Sequence, residues 1–255
     1  MRIADYLARI GLHDTPRRDL ATLAALQEAH MRTVPFENLD IHFGVPLVLD
    51  EAALYGKLVE RRRGGVCYEL NGLFAGLLRR LGYEVDMLSA RVHGAGGSWS
   101  PEFDHLTLLV TLDGRRYLVD VGFGDAFARP LDIALDGTQD GGTGGFLVGR
   151  DGDDYVLARA GTPSVPMYRF GLQSRTLDEF GARCGFHQRS MESHFRSKRI
   201  CSRMTDTGRV SLGGDELIFT ENGTRRADAL TSDDAIGPAL REHFGIDLAW
   251  SSRIA

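Results

Sequence analysis

Near Tyr83 the chain changes its hydrophobic period, and no other feature constrains its fold as much. Before that point apolar residues recur at helical steps. Leu20, Leu23 and Leu26 share one face, with Thr15 as the expected cap, Pro16 as the first helical position and Pro35 as the stop. Leu49-Asp50-Glu51 opens a second helical stretch that ends near Arg63. Leu70, Phe74, Leu77, Leu78 and Leu81 give a third, closed by Gly82. After Tyr83 the apolar runs are short and broken by Gly, Asp and Pro. Glu84 to Val92, Leu106 to Leu112, Arg116 to Val121, Phe146 to Val148, Tyr155 to Ala158 and Met167 to Phe170 read as strands of an antiparallel barrel or sandwich. The glycine-rich stretch Gly137 to Gly145 reads as a flexible loop without a phosphate-loop signature. Thr176 to Gly185 reads as a connecting helix. More strands follow, at Lys198 to Met204, Arg209 to Leu212, Glu216 to Phe219 and Arg225 to Ala227. A last helix runs from Ser232 to about Gly245. The class is α+β, with expected divisions at 1–83, 84–172 and 173–255.

Chemistry enters at Arg63-Gly64-Gly65-Val66-Cys67-Tyr68-Glu69-Leu70-Asn71. A cysteine stands where a glycine turn opens into the third helix. Unpaired N–H groups and the helix dipole favour negative charge there, so the position suits a nucleophilic thiolate. A base and its orienter lie downstream. His105 begins the run to Val110, and Asp120 ends the run from Arg116. Leu112-Asp113-Gly114 joins the two as a hairpin. Antiparallel pairing through that turn brings His105 and Asp120 together, and an aspartate beside a histidine fixes its tautomer and stabilises its cation. Cys67, His105 and Asp120 are therefore the candidate catalytic set, defined by roles and not by order.

Composition removes other classes. Among 255 residues, 43% are hydrophobic, 25% are charged and the net charge is −5. Nothing in that balance points to nucleic acid. Arg61-Arg62-Arg63 and the span Arg196 to Arg203 read as solvated faces, with a phosphate contact as the sharper alternative. No stretch approaches the roughly 20 apolar residues of a membrane span, and Met1 to Leu12 lacks a signal-peptide core. Three cysteines without a secretion signal point to a reducing, cytoplasmic setting. Cys184 and Cys201 have no catalytic company and read as packing or surface residues. Cys184, His187 and His194 lack a fourth ligand and fit no standard zinc spacing, so no metal is expected. Arg63, Glu69 and Asn71 read as a polar network around the glycine turn, with Arg63 paired to Glu69 or to Glu37.

These motifs resemble the arylamine N-acetyltransferases. Val34-Pro35-Phe36-Glu37-Asn38-Leu39-Asp40, the Arg63–Asn71 pattern, Asp104-His105-Leu106 and Val119-Asp120-Val121-Gly122-Phe123-Gly124 carry the resemblance. It thins beyond about Asp140, though His194-Phe195 and Phe244-Gly245-Ile246-Asp247-Leu248 still fit. The resemblance implies a helical bundle, a central antiparallel β-barrel and a C-terminal α/β lid on a core like that of cysteine proteases and transglutaminases. It implies ping-pong transfer from acetyl-coenzyme A to an arylamine or hydrazine, through an acetyl-cysteine and without a metal. It puts Gly122, Phe123 and Gly124 beside the coenzyme entrance. Phe36, Phe103 and Phe195, with Val92 nearby, become the expected acceptor slot. Departures fall at Asp125 and across Cys184 to Phe195, on the acceptor and coenzyme side. They leave room for a macrolactam-closing amide synthase with the same triad. A transglutaminase-like thiol hydrolase and a binding module with an inert triad are further alternatives. Self-association is left open.

Overall fold

The computed structural model describes residues 1–14, 16–94 and 96–248. Helices Ile3–Arg9, Leu20–Thr33, Glu51–Tyr55 and Cys67–Arg80 dominate the first third, with a π-helical turn at Gly56–Glu60. Thr15 lies outside the described residues, and Pro16 does not begin a helix. That helix starts at Leu20, because the Asp19 carboxylate accepts the Thr22 N–H at 2.8 Å and so caps the chain four residues later than expected.

Eight antiparallel strands follow in one sheet, nearly closed into a barrel. Its first hairpin pairs His105–Leu112 with Arg115–Val119 across Asp113 and Gly114, both with positive φ. Glu84–Val92 lies on the other side of His105–Leu112, and Val165–Arg175 lies beyond it. The glycine-rich stretch is more ordered than expected. Gln139–Asp140 forms a short edge strand, and a side chain, not a backbone ladder, joins it to the strand across the barrel seam. The Gln139 carboxamide accepts from Asp132 N–H and donates to Asp132 C=O, both at 2.9 Å, joining the edge strand Leu131–Asp132 to Gln139–Asp140.

A second, five-stranded antiparallel sheet contains Ile200–Met204, Gly208–Gly213, Glu216–Glu221 and Thr224–Ala229. Its first strand is Phe36–Glu37, contributed from between the early helices. Gly181–Arg189 and His194–Ser197 connect the two sheets, and Ile236–Phe244 closes the described chain.

Period-two alternation builds two cores at once. Leu106, Leu108 and Val110 pack with the Cys67–Arg80 helix, whose Leu70, Phe74 and Leu77 are fully buried. Leu109 and Leu118 instead join Phe127, Phe146 and Phe170 inside the barrel. His105 and Thr107 share the parity of Leu109, and Asp120 shares that of Leu118. The side chains of His105 and Asp120 therefore belong to the barrel's inner face.

Candidate active site

Cys67 is the first residue of its helix and is buried. A chain of charges holds the turn before it. The Val66 N–H donates to Glu69 Oε2 at 3.0 Å. Lys57 Nζ bonds both Glu69 oxygens, at 2.8 and 3.0 Å, and reaches Asp40 at 2.8 Å. Arg63 donates to Asp40 at 2.7 Å and to Glu37 at 3.0 Å. Arg63 thus pairs with Glu37 and not with Glu69, whose partner is Lys57, a residue the sequence did not single out. Burial alone would lower the Lys57 ammonium, but Glu69, Glu37 and Asp40 outweigh it and raise its pKa. Glu69 is raised by burial, with Lys57 opposing. Gly65 is needed for this packing, since a Cβ there would stand 2.6 Å from Glu69 Oε2.

The hairpin register, Leu108 opposite Val119, extends to Thr107 opposite Asp120. His105 and Asp120 are then diagonal neighbours on one face, within reach of long side chains. His105 Nε2 lies 2.6 Å from Asp120 Oδ2, and both groups are buried. Each Asp120 oxygen accepts twice. Oδ2 also takes Tyr168 Oη–H at 3.0 Å, and Oδ1 takes Asn71 Nδ2–H at 2.9 Å and Gly122 N–H at 2.8 Å. Asn71 sits one helical turn beyond Cys67 and also accepts Val121 N–H, so one side chain ties the Cys67 helix to the segment carrying Asp120. Burial raises Asp120, but His105, Asn71 and Gly122 outweigh it and hold the carboxyl below its ordinary range. For His105, burial is the largest single influence and acts downward. Asp120 and a hydrogen bond with Cys67 together overcome it and lift the imidazole from 6.5 to about 10. With Nε2 taken by Asp120, Nδ1 is the nitrogen left for the sulfur.

The other expected residues separate into two groups. Phe36 and Phe195 face each other with ring centroids 5.9 Å apart. Phe103 packs edge-on to Phe180 at 5.2 Å, and its carbonyl accepts Tyr68 Oη–H at 2.9 Å. Val92 ends its strand opposite Tyr168, with its N–H on Ser100 Oγ. Phe123 meets His105 edge-on and Tyr168 at a tilt, each at 5.0 Å between ring centroids, so it walls the imidazole. Gly122 is required by the Cys67–Arg80 helix itself, because a Cβ there would lie 2.7 Å from Cys67 Cα. Gly124 has open space beside it. Beyond it lies a cleft of about 480 Å³, lined by Arg32, Arg159, Arg209, Thr143, Thr205 and Asp125 among others. Asp125 reaches Arg159 at 3.2 Å within that cleft. Cys184 and Cys201 are buried free thiols, pushed up by burial, Cys184 to about 12.

A buried cysteine at a helix start, a histidine and an aspartate converge here from three separate segments. The same segments lie within a match of residues 19–253 to the family model described as N-acetyltransferase. The arylamine N-acetyltransferase of Mycolicibacterium smegmatis is 37% identical, over 97% of this chain and 93% of its own. Human arylamine N-acetyltransferase 1 is 31% identical, over 97% and 95%. The chain belongs to the arylamine N-acetyltransferase family. Solved structures agree. The M. smegmatis arylamine N-acetyltransferase superposes with a TM-score of 0.91 at 36% identity, covering 97% of this chain and 93% of that one. The Mycobacterium marinum arylamine N-acetyltransferase in complex with CoA superposes at 0.89 with 32% identity, covering 96% and 93%.

Proposed function

We propose that this chain moves an acetyl group from acetyl-coenzyme A to an arylamine or hydrazine, with Cys67, His105 and Asp120 as its catalytic residues. One observation carries the reading: His105 Nε2 lies 2.6 Å from the buried Asp120 carboxylate, and this contact, helped by Cys67, raises the imidazole to about 10, so an imidazolium stands beside the Cys67 sulfur at neutral pH. The thiolate attacks the thioester carbonyl. The tetrahedral intermediate collapses, the bond to the coenzyme sulfur breaks, and His105 hands its proton to the leaving thiolate. Neutral His105 then takes a proton from the amine nitrogen as it attacks the acetyl-cysteine carbon. The Cys67 C–S bond breaks, an amide leaves, and the imidazolium–thiolate pair is restored. Asp120 keeps Nε2 protonated and stabilises the cation throughout. Such acid–base help is worth about 10²–10⁴-fold.

An aromatic amine suits this site physically. Its weakly basic nitrogen keeps a free lone pair at neutral pH, whereas an alkylamine carries a charge that an apolar slot excludes. We assign Phe36, Phe103 and Phe195 to that slot, with Val92 on its margin. We put the anionic donor in the arginine-lined cleft beyond Gly124, with Gly122–Gly124 at its entrance. Three arginines suit phosphate groups, for which Arg159 and Arg209 would exchange Asp125 and Arg32 would exchange Asp206. In the same reading, residues 1–83 supply the nucleophile, 84–172 the base and orienter, and 173–255 the Phe195 wall. A cytoplasmic setting is part of it.

Intact mass after mixing with acetyl-coenzyme A, followed by a chase with amines, tests the whole reading. The expected result is one added acetyl group on Cys67, discharged by an aromatic amine and absent from Cys67→Ala. A protein that never acquires the acetyl group would refute it.

A further inference from the structure

Outside the site just described, a second Ser, His and Asp stand in a row. Ser193 Oγ lies 2.9 Å from His187 Nδ1, and His187 Nε2 lies 3.1 Å from Asp104 Oδ1. All three are buried or nearly so, with Ser193 at 2% and His187 at 3% exposure. Ser193 Oγ also accepts the Phe195 N–H at 3.3 Å as the cap of the His194–Ser197 helix. No substrate reaches an oxygen enclosed in that way, so the row is not a second nucleophile.

One tautomer satisfies every partner. Phe195 N–H donates to Ser193 Oγ, the Ser193 hydroxyl donates to His187 Nδ1, and His187 Nε2–H donates to Asp104. The far end of this row is the residue immediately before His105. Asp104 and His105 are successive residues entering a strand, so their side chains leave on opposite faces. His105 turns to Asp120, and Asp104 turns to the Gly181–Arg189 helix. There Arg183 and His187, four residues apart on one helical face, both donate to Asp104. The near end of the row is Phe195, whose ring lies 4.9 Å from the His187 ring and 5.9 Å from the Phe36 ring. Its carbonyl is pinned by Asn38 Nδ2 at 2.9 Å.

We infer that His187 is a positioning residue that sets the wall of the acceptor slot: with Ser193 and Asp104 it fixes Phe195 relative to the strand carrying the base, and so selects among aromatic amines by ring size. This rests on the acyl-transfer reading and on Phe195 lining the slot.

Two variants break the row without touching the proposed catalytic residues. His187→Phe keeps a ring of similar size and loses both hydrogen bonds. Ser193→Ala removes the relay oxygen alone, and Ser193→Thr restores it. Each is assayed in two separate half-reactions: Cys67 acetylation by acetyl-coenzyme A, and discharge of the acetyl-enzyme by a one-ring and a two-ring arylamine. The expected result is acetylation within about twofold of wild type. The ratio of kcat/KM for the two amines should shift by about tenfold, the scale of a small change in a hydrophobic pocket. Ser193→Thr returns the ratio towards wild type. An unchanged ratio in Ser193→Ala overturns the inference, as does a parallel fall in both half-reactions. Should His187→Phe fail to fold, the Ser193 pair decides alone. Wild-type protein that never forms the acetyl-enzyme would instead refute the functional reading.

Discussion

Substituting Asp120 by asparagine isolates the electrostatic heart of the site. The carboxylate accepts four hydrogen bonds, two on each oxygen. An amide supplies one oxygen only. If that oxygen meets Asn71 and Gly122, the new NH2 group faces His105 Nε2 and forces that nitrogen to accept. The imidazole then carries its proton on Nδ1, pointing at the sulfur it should deprotonate. The lift of His105 from 6.5 to about 10 corresponds to a preference for the imidazolium on the order of 5 kcal/mol, at about 1.4 kcal/mol per pKa unit. Asp120 and Cys67 share that preference. Without the carboxylate, burial drives the imidazole below its ordinary value, and the first acetyl transfer at pH 7 should fall by about 10³–10⁴-fold. The assay is stopped-flow release of coenzyme A in the first turnover, from pH 5 to 10, with the near-ultraviolet dichroism spectrum as a check on the fold. Transfer within tenfold of wild type at pH 7, or an unaltered pH profile, would refute the reasoning. The same shift has a stability consequence. Because the folded value lies above the unfolded one, the His105 contribution is complete below about pH 6.5 and is lost as pH rises towards 10.

Other expectations follow from the same contacts. Lys57→Met leaves the Glu69 carboxylate buried without its cation and should destabilise by about 3–5 kcal/mol in urea unfolding; adding Glu69→Gln should recover part of it. Gly122→Ala drives a methyl group against Cys67 Cα and Asn71 Nδ2, at about 1–3 kcal/mol. Thermal denaturation and the rate of Cys67 acetylation should both suffer, and normal values for both would contradict the close packing. His30 is held to about 3 by burial and by Arg9. Its folded value lies below 6.5, so its contribution is present above that pH and is lost as pH falls towards 3. The stability of wild type should decline there by about 1.4 kcal/mol per pH unit from this group, and His30→Gln should flatten the slope.

The sequence was most informative where the signal is local. The apolar steps after Cys67, the Asp113-Gly114 turn and the period-two runs each depend on neighbours a few residues away. They led to the helix start, the hairpin and the meeting of His105 with Asp120. Signals were absent where partners are distant. Lys57 reaches Glu69 and Asp40 from a π-turn whose pattern advertises nothing. Tyr168 joins Asp120 across 48 residues, as part of a strand chosen for its apolar run. The row from Phe195 to Asp104 reads as stray histidines until the helix at Gly181–Arg189 is folded against the barrel. Competing caps explain the misplaced helix start, since Asp19 offers a better acceptor than the Thr15-Pro16 signal suggested.

The carboxamide of Gln139 has a consequence beyond the site. By imitating a peptide group it occupies the main-chain donor and acceptor of Asp132 that an incoming β-segment would need. Both rims of the eight-stranded sheet are two residues long and face each other across that clasp. Gln139→Ala would therefore expose a templating rim, and at high concentration the protein should gain a tendency towards strand-mediated self-assembly that its acetylation chemistry would not reveal.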